Sequence, residues 1–131
     1  MLPPMDRFTT QGYDLQFGTN VLGPYLLTKL LLPVMEATAA TISAADPVRI
    51  VELSSSTHFI TRYTGADVIC YESLHGESET RTRLGDLGLY SQSKSANILL
   101  SQARARLLKG HNIISLSLHP GAVSCYESSA R

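Results

Sequence analysis

Tyr90 and Lys94 stand four residues apart in "LYSQSKSANILL", so a helix through this stretch would stack a phenol and an ammonium on one face. A cation one turn away favours the phenolate and draws a tyrosine from its reference pKa of about 10 toward acid/base work near neutrality. Two other groups could serve the same centre. Ser54, Ser55 and Ser56 close the run "RIVELSSS", and Pro120-Gly121 closes "NIISLSLHPG". A serine hydroxyl facing the phenol would hold a substrate oxygen while the tyrosine exchanges its proton. Each group also has an ordinary structural reading as a cap, a loop or a turn. Their order within one strand–helix–strand unit is what points to a site.

The elements that would position them follow from periodicity. Val48 to Leu53 is short and rich in β-branched residues, which predicts a strand ending at the serine cluster. Ala96, Leu99, Leu100, Ala103 and Leu107 recur at helical spacing, and Lys109-Gly110 is a stop signal, giving a helix from Tyr90 to Lys109. Ile114, Leu116 and Leu118 alternate with serines ahead of Pro120, as a strand would. Strand, helix and strand predict a parallel βαβ unit, in which ligands bind beyond the carboxyl ends of the strands. Upstream, Leu15, Leu22, Leu26, Leu30 and Val34 mark a long, heavily buried helix from Asp14 to about Ala40, which Pro24 and Pro33 should start, kink or interrupt. Thr57 to Gly88 is polar and dotted with glycine and reads as a surface excursion, except for "DVICY", a brief strand or a packed loop.

Composition excludes several classes. With 131 residues, 44% of them apolar, the chain is one domain or part of one, and 11 basic against 11 acidic residues leave no field for nucleic acid. Cys70 and Cys125 lack metal-ligand spacing, as do His58, His75, His111 and His119, so no disulfide framework and no metal are expected. The start "MLPPMDRF" has no secretory signal, and the apolar stretch Val21 to Met35 is broken by Gly23, Pro24, Lys29 and Pro33. A cytoplasmic location is expected, with membrane attachment of a longer parent left open. A serine hydrolase has little support without a Gly-x-Ser-x-Gly elbow.

Taken together, Tyr90-Ser91-Gln92-Ser93-Lys94, "RIVELSSSTH" and "SLHPGAV" resemble the Tyr-x-x-x-Lys motif, the serine strand and the Pro-Gly loop of short-chain dehydrogenase/reductases. "GYDLQFGTNVLGPYLLTKLLLP" resembles the helix carrying that family's active-site asparagine, here Asn20. The wording is nearest to the retinol dehydrogenase and WW-domain oxidoreductase branch, in its fungal form. The resemblance implies an α/β fold, a partial Rossmann-like doubly wound parallel sheet. Residues 1–131 would form a partial domain, without the N-terminal Gly-rich half and the C-terminal substrate loop. Gly12, Gly18 and Gly23 have the wrong spacing to replace the Gly-rich turn.

Carried over by resemblance, Tyr90 is the general acid/base and Ser55 polarises the substrate oxygen, with Ser56 the weaker candidate. Lys94 would bind the nicotinamide ribose, and Asn20 would help hold a water in the proton relay. The cofactor, NAD or NADP with NADP slightly favoured, would meet Tyr90, Lys94, Pro120, Gly121 and Val123. The implied reaction is hydride transfer with a small hydrophobic alcohol or carbonyl, and these 131 residues alone are not expected to perform it. In a complete enzyme His58, Phe59 and Tyr63 could line the substrate entrance, but a solvated loop with incidental aromatics is the preferred reading of that stretch. A competing reading is a non-catalytic module that forms a homo- or heterodimer, for instance with a complete relative, through the helices near 14–40 and 90–109.

Overall fold

The computed structural model describes residues 3–60 and 68–121. Its first helical path begins where Asp14 caps it, the carboxylate accepting from the Phe17 amide at 2.8 Å. A single turn, α1 (Leu15–Phe17), runs into a π-helical turn, Gly18–Leu22, and then into α2 (Gly23–Ala39). Gly18 opens the π-turn because a Cβ there would lie 2.3 Å from the Thr9 methyl. Pro24 falls in the first turn of α2, where its missing N–H is tolerated, and the helix continues through Pro33, which is exposed.

β1 (Val48–Leu53) and β2 (Ile113–Leu118) form a two-stranded parallel sheet, in register from Val48 opposite Ile113 to Leu53 opposite Leu118. The helix between them, α3 (Glu79–Leu107), makes the expected βαβ unit. It starts well before Tyr90, however. Ser78 caps it through the Arg81 amide at 3.0 Å, and Gly85, with φ +64°, breaks it in a conformation that favours glycine. Those glycines, at 85 and 88, are what made the segment read as a loop.

Two small apolar clusters hold these elements. Phe17, Val21, Ile69, Leu74 and Ala96 join the π-turn to α3, and Ala39, Ile50, Leu108 and Ile113 join the end of α2 to the sheet. Within the described part of the excursion Ile69, Ser73, Leu74 and Arg81 are buried, while Phe59, Ile60, Tyr71 and most of the polar residues lie on the surface as expected. Val68 to Cys70 is a packed loop, not a strand, and a 3-10 turn at Tyr71–Ser73 follows it. The expectation of a heavily buried α2 also fails. Leu26, Leu30 and Val34 are 54%, 68% and 64% exposed, because a sheet of two strands covers only one side of a helix that is apolar on nearly all sides.

Candidate active site

α3 presents Tyr90, Lys94 and Asn97 along one stripe, as the spacing of seven residues over two turns requires. Opposite them lies the π-turn with Thr19 and Asn20. Tyr90, Lys94, Asn20, Thr19, Gln16, Leu15 and Pro3 enclose a cavity of about 320 Å³. Lys94 Nζ sits 5.5 Å from the Tyr90 ring centroid, within range of a cation–π contact. The expected pairing of phenol and ammonium is thus realised, although within the helix rather than at its start.

Asn20 is fixed from α3. Its Nδ2 donates to Ser93 Oγ at 3.0 Å, and Ser93 in turn donates to the Tyr90 carbonyl at 2.7 Å. The residue four beyond Asn20 is Pro24, so the Asn20 carbonyl lacks the amide donor an ordinary α-helix would supply. π-turns of this kind are frequent at functional sites. Gln16, 4% exposed, donates from Nε2 to the Asp86 carbonyl at 3.1 Å just after the Gly85 break, which ties α1 to α3 beside the cavity.

The end of β1 is stitched to the same stripe. Lys94 Nζ and Asn97 Nδ2 each donate to the Leu53 carbonyl at 3.0 Å, and Ser54 Oγ donates to the Lys94 carbonyl at 2.9 Å. Burial lowers the Lys94 pKa from its ordinary value of 10.5, with the negative charge of Glu52 acting weakly in the opposite sense. Glu52 is itself engaged with Arg104 at 2.6 Å.

The serines divide by position. Ser54 is buried and committed to α3, Ser55 is half-buried and accepts from the Thr57 amide at 3.3 Å, and Ser56 is exposed at the start of a 3-10 turn. Among the described residues no hydrogen bond joins Ser55 to Tyr90, and Ser55 lines neither the Tyr90 cavity nor its neighbour. The structure therefore brings Asn20, Tyr90 and Lys94 around one cavity, while Ser55, next to the Ser54 that bonds the Lys94 carbonyl, is not part of its lining. His58 Nδ1 lies 2.5 Å from the Ser55 carbonyl oxygen, not its hydroxyl, which gives no serine–histidine dyad. Phe59 is exposed; Tyr63 and Val123 lie outside the described residues. Pro120 and Gly121 follow β2 at the sheet end that carries Ser54, with Gly121 at φ +85°. Ser93 and Asn97 were not singled out from the sequence, though positions 90, 93, 94 and 97 share a helix face and that spacing could have found them.

Among the described residues no helix is long and apolar enough to cross a membrane, and no group of three His, Cys, Asp or Glu residues could hold a metal. No family model matches the chain. Over 94% of its length it is 39% identical to a short-chain dehydrogenase/reductase of Armillaria gallica, covering 37% of that protein. It is 41% identical to an uncharacterized oxidoreductase of Schizosaccharomyces pombe and 38% identical to retinol dehydrogenase 11 of Homo sapiens, again over 94% of the chain in both cases. The chain spans about a third of the length of these curated relatives. Among solved structures, carbonyl reductase Sniffer of D. melanogaster superposes with a TM-score of 0.60 at 22% identity, over 92% of this chain and 44% of that one. That likeness concerns the fold, a Rossmann-like parallel α/β arrangement of which β1, α3 and β2 are one unit.

Proposed function

The chain belongs to the short-chain dehydrogenase/reductase family, and from that premise we propose that its residues serve an NAD(P)-dependent oxidoreductase acting on an alcohol or carbonyl. The observation that carries the reading is the shared cavity of Tyr90, Lys94 and Asn20 at the carboxyl end of β1. Lys94 fits a nicotinamide ribose by its donor set: an ammonium has three N–H groups, and the one bond to Leu53 leaves others for ligand hydroxyls. When bound, the nicotinamide supplies or accepts the hydride.

In this reading Tyr90 gives its hydroxyl proton to the substrate oxygen in reduction and takes it back in oxidation. The Lys94 ammonium supplies positive charge beside the phenol as that proton leaves. Asn20, with its side chain held by Ser93, offers its backbone carbonyl to a water linking Lys94 to solvent. By the resemblance, Ser55 would reach the substrate oxygen from the end of β1, Pro120 and Gly121 would border the nicotinamide, and NADP would be slightly favoured over NAD.

The test is a chimera in which residues 3–121 replace the matching segment of the Armillaria relative, assayed for NAD(P)H-dependent aldehyde reduction. Tyr90→Phe should lower turnover by about 10²–10⁴-fold, the usual worth of a general acid/base. Undiminished turnover would overturn the assignment.

A second reading, pairing through the helices, is favoured by one observation. An apolar hollow of about 390 Å³ runs between α2 and α3, with Tyr25, Leu99, Leu100 and Ala103 in its wall. Sedimentation of the purified chain would detect a dimer, and a monodisperse monomer at high concentration would remove this reading.

A further inference from the structure

The Leu53 carbonyl, last of β1, accepts from two donors of α3, Lys94 Nζ and Asn97 Nδ2, each at 3.0 Å. A carbonyl oxygen has two lone pairs, so both bonds are accommodated. The donors differ in freedom. Asn97 is 2% exposed, whereas Lys94 is half-buried and stands in the wall shared by two cavities. One is the Tyr90 cavity; the other, of about 260 Å³, is bounded by Thr19, Asn20, Leu53 and Asn97 among others.

Asn97 is an expensive way to fill its place. Its Oδ1 is buried and has no hydrogen-bond partner among the described residues, a cost that a leucine of similar size would avoid. What the amide supplies is the Nδ2 donor to Leu53. With that donor present, the carbonyl stays paired whether or not the ammonium is there. Without it, Lys94 could turn toward the Tyr90 cavity only by leaving the carbonyl with no protein donor among the described residues.

We infer that Asn97 is a positioning residue for Lys94, sharing the Leu53 carbonyl so that the ammonium is free to leave β1 for a hydroxyl-bearing ligand in the Tyr90 cavity. The inference rests on the reading that Lys94 meets ligand hydroxyls. The charged and titratable groups facing Lys94 are Glu52 on β1, held by Arg104 of α3, and Tyr90 on α3 itself.

The chain has three lysines, Lys29, Lys94 and Lys109, and the first and last are exposed, so they serve as internal references. Acetylation by acetic anhydride, resolved by peptide mass spectrometry across pH, gives for each lysine a midpoint and a limiting rate. In Asn97→Leu the limiting rate of Lys94 relative to the references should fall about fivefold or more, since the amine is then the sole protein donor to the Leu53 carbonyl and must leave it to react. An unchanged limiting rate, with or without a moved midpoint, overturns the inference.

Should Asn97→Leu not fold, Lys94→Met provides the second measurement. The Asn97 Nδ2 proton that is donated to Leu53 should stay protected from exchange, and its exchange at the solvent rate overturns the inference. Both measurements use the chain without cofactor. Their failure leaves the Tyr90→Phe result standing, and failure of that result leaves them standing.

Discussion

Where α3 passes the Tyr90 cavity it buries polar groups, and where β1 and β2 lie, apolar side chains stand in water. Arg81, Ser91, Gln92, Ser93 and Asn97 are all buried on this helix. Val51, Leu53, Ile114 and Leu118 of the sheet are between 39% and 55% exposed. Apart from the Asn97 Oδ1, the polar region is internally paired: Gln92 takes the Cys70 amide at 3.1 Å and donates to Ser73 at 2.8 Å, while Arg81 reaches Asp14, Ser73 and Met5. Directional bonds fix distances, which a site needs; area burial fixes stability, which the sheet has yet to complete. In this chain, geometry is specified on one side and burial is left open on the other.

The contrast predicts that stability hangs on the polar side. Arg81 and Asp14 are each 1% exposed and 2.9 Å apart, and Asp14 also caps α1. Removing one partner of such a pair leaves a buried charge uncompensated, at a cost of about 3–5 kcal/mol. Arg81→Met should therefore lower the urea midpoint by the largest amount of any single change considered for this chain. A midpoint within error of the parent would show that the polar region is ornamental and the apolar clusters hold the fold.

Much of this division was legible in the sequence, and the illegible part has a physical cause. β1 and β2 followed from β-branched content and alternation, and the second half of α3 from its leucine spacing, because those signals are local. Arg81 was not legible. It lies in a run of mixed charge beside Gly85, and its burial depends on Asp14, Ser73 and Met5, which are distant in sequence. The pair Tyr90 and Lys94 was visible through its four-residue spacing, while the relation of Ser55 to them depends on how β1 ends against α3, which no local pattern encodes.

A smaller effect tests the boundary between the two regions, where Lys94 bridges the polar stripe and β1. Its folded pKa lies below the unfolded 10.5, so between those values the unfolded chain binds more protons and stability rises with pH. Below the folded value the buried ammonium is a standing cost. Lys94→Met should abolish that rise in stability curves taken through the alkaline range. Glu52→Gln, by removing the charge that favours the ammonium, should lower the Lys94 value further and extend the rise to lower pH. Identical pH profiles for the parent and Lys94→Met would show that the desolvation inferred from its burial is absent.

The smallest expected change belongs to the open side. Leu30 is 68% exposed on α2, so Leu30→Lys removes little buried area and should shift unfolding of the chain by no more than about 0.5 kcal/mol. Its effect should fall instead on association. Together with Leu26 and Val34 it forms an apolar stripe along one face, and such contiguous surface drives contact between molecules. Light scattering of the parent and the variant at matched concentration would separate the two. Reduced association with unchanged unfolding means the stripe contributes to what lies outside these elements. A large loss of stability would mean that Leu30 is already buried in solution, and that the open side is less open than its exposure implies.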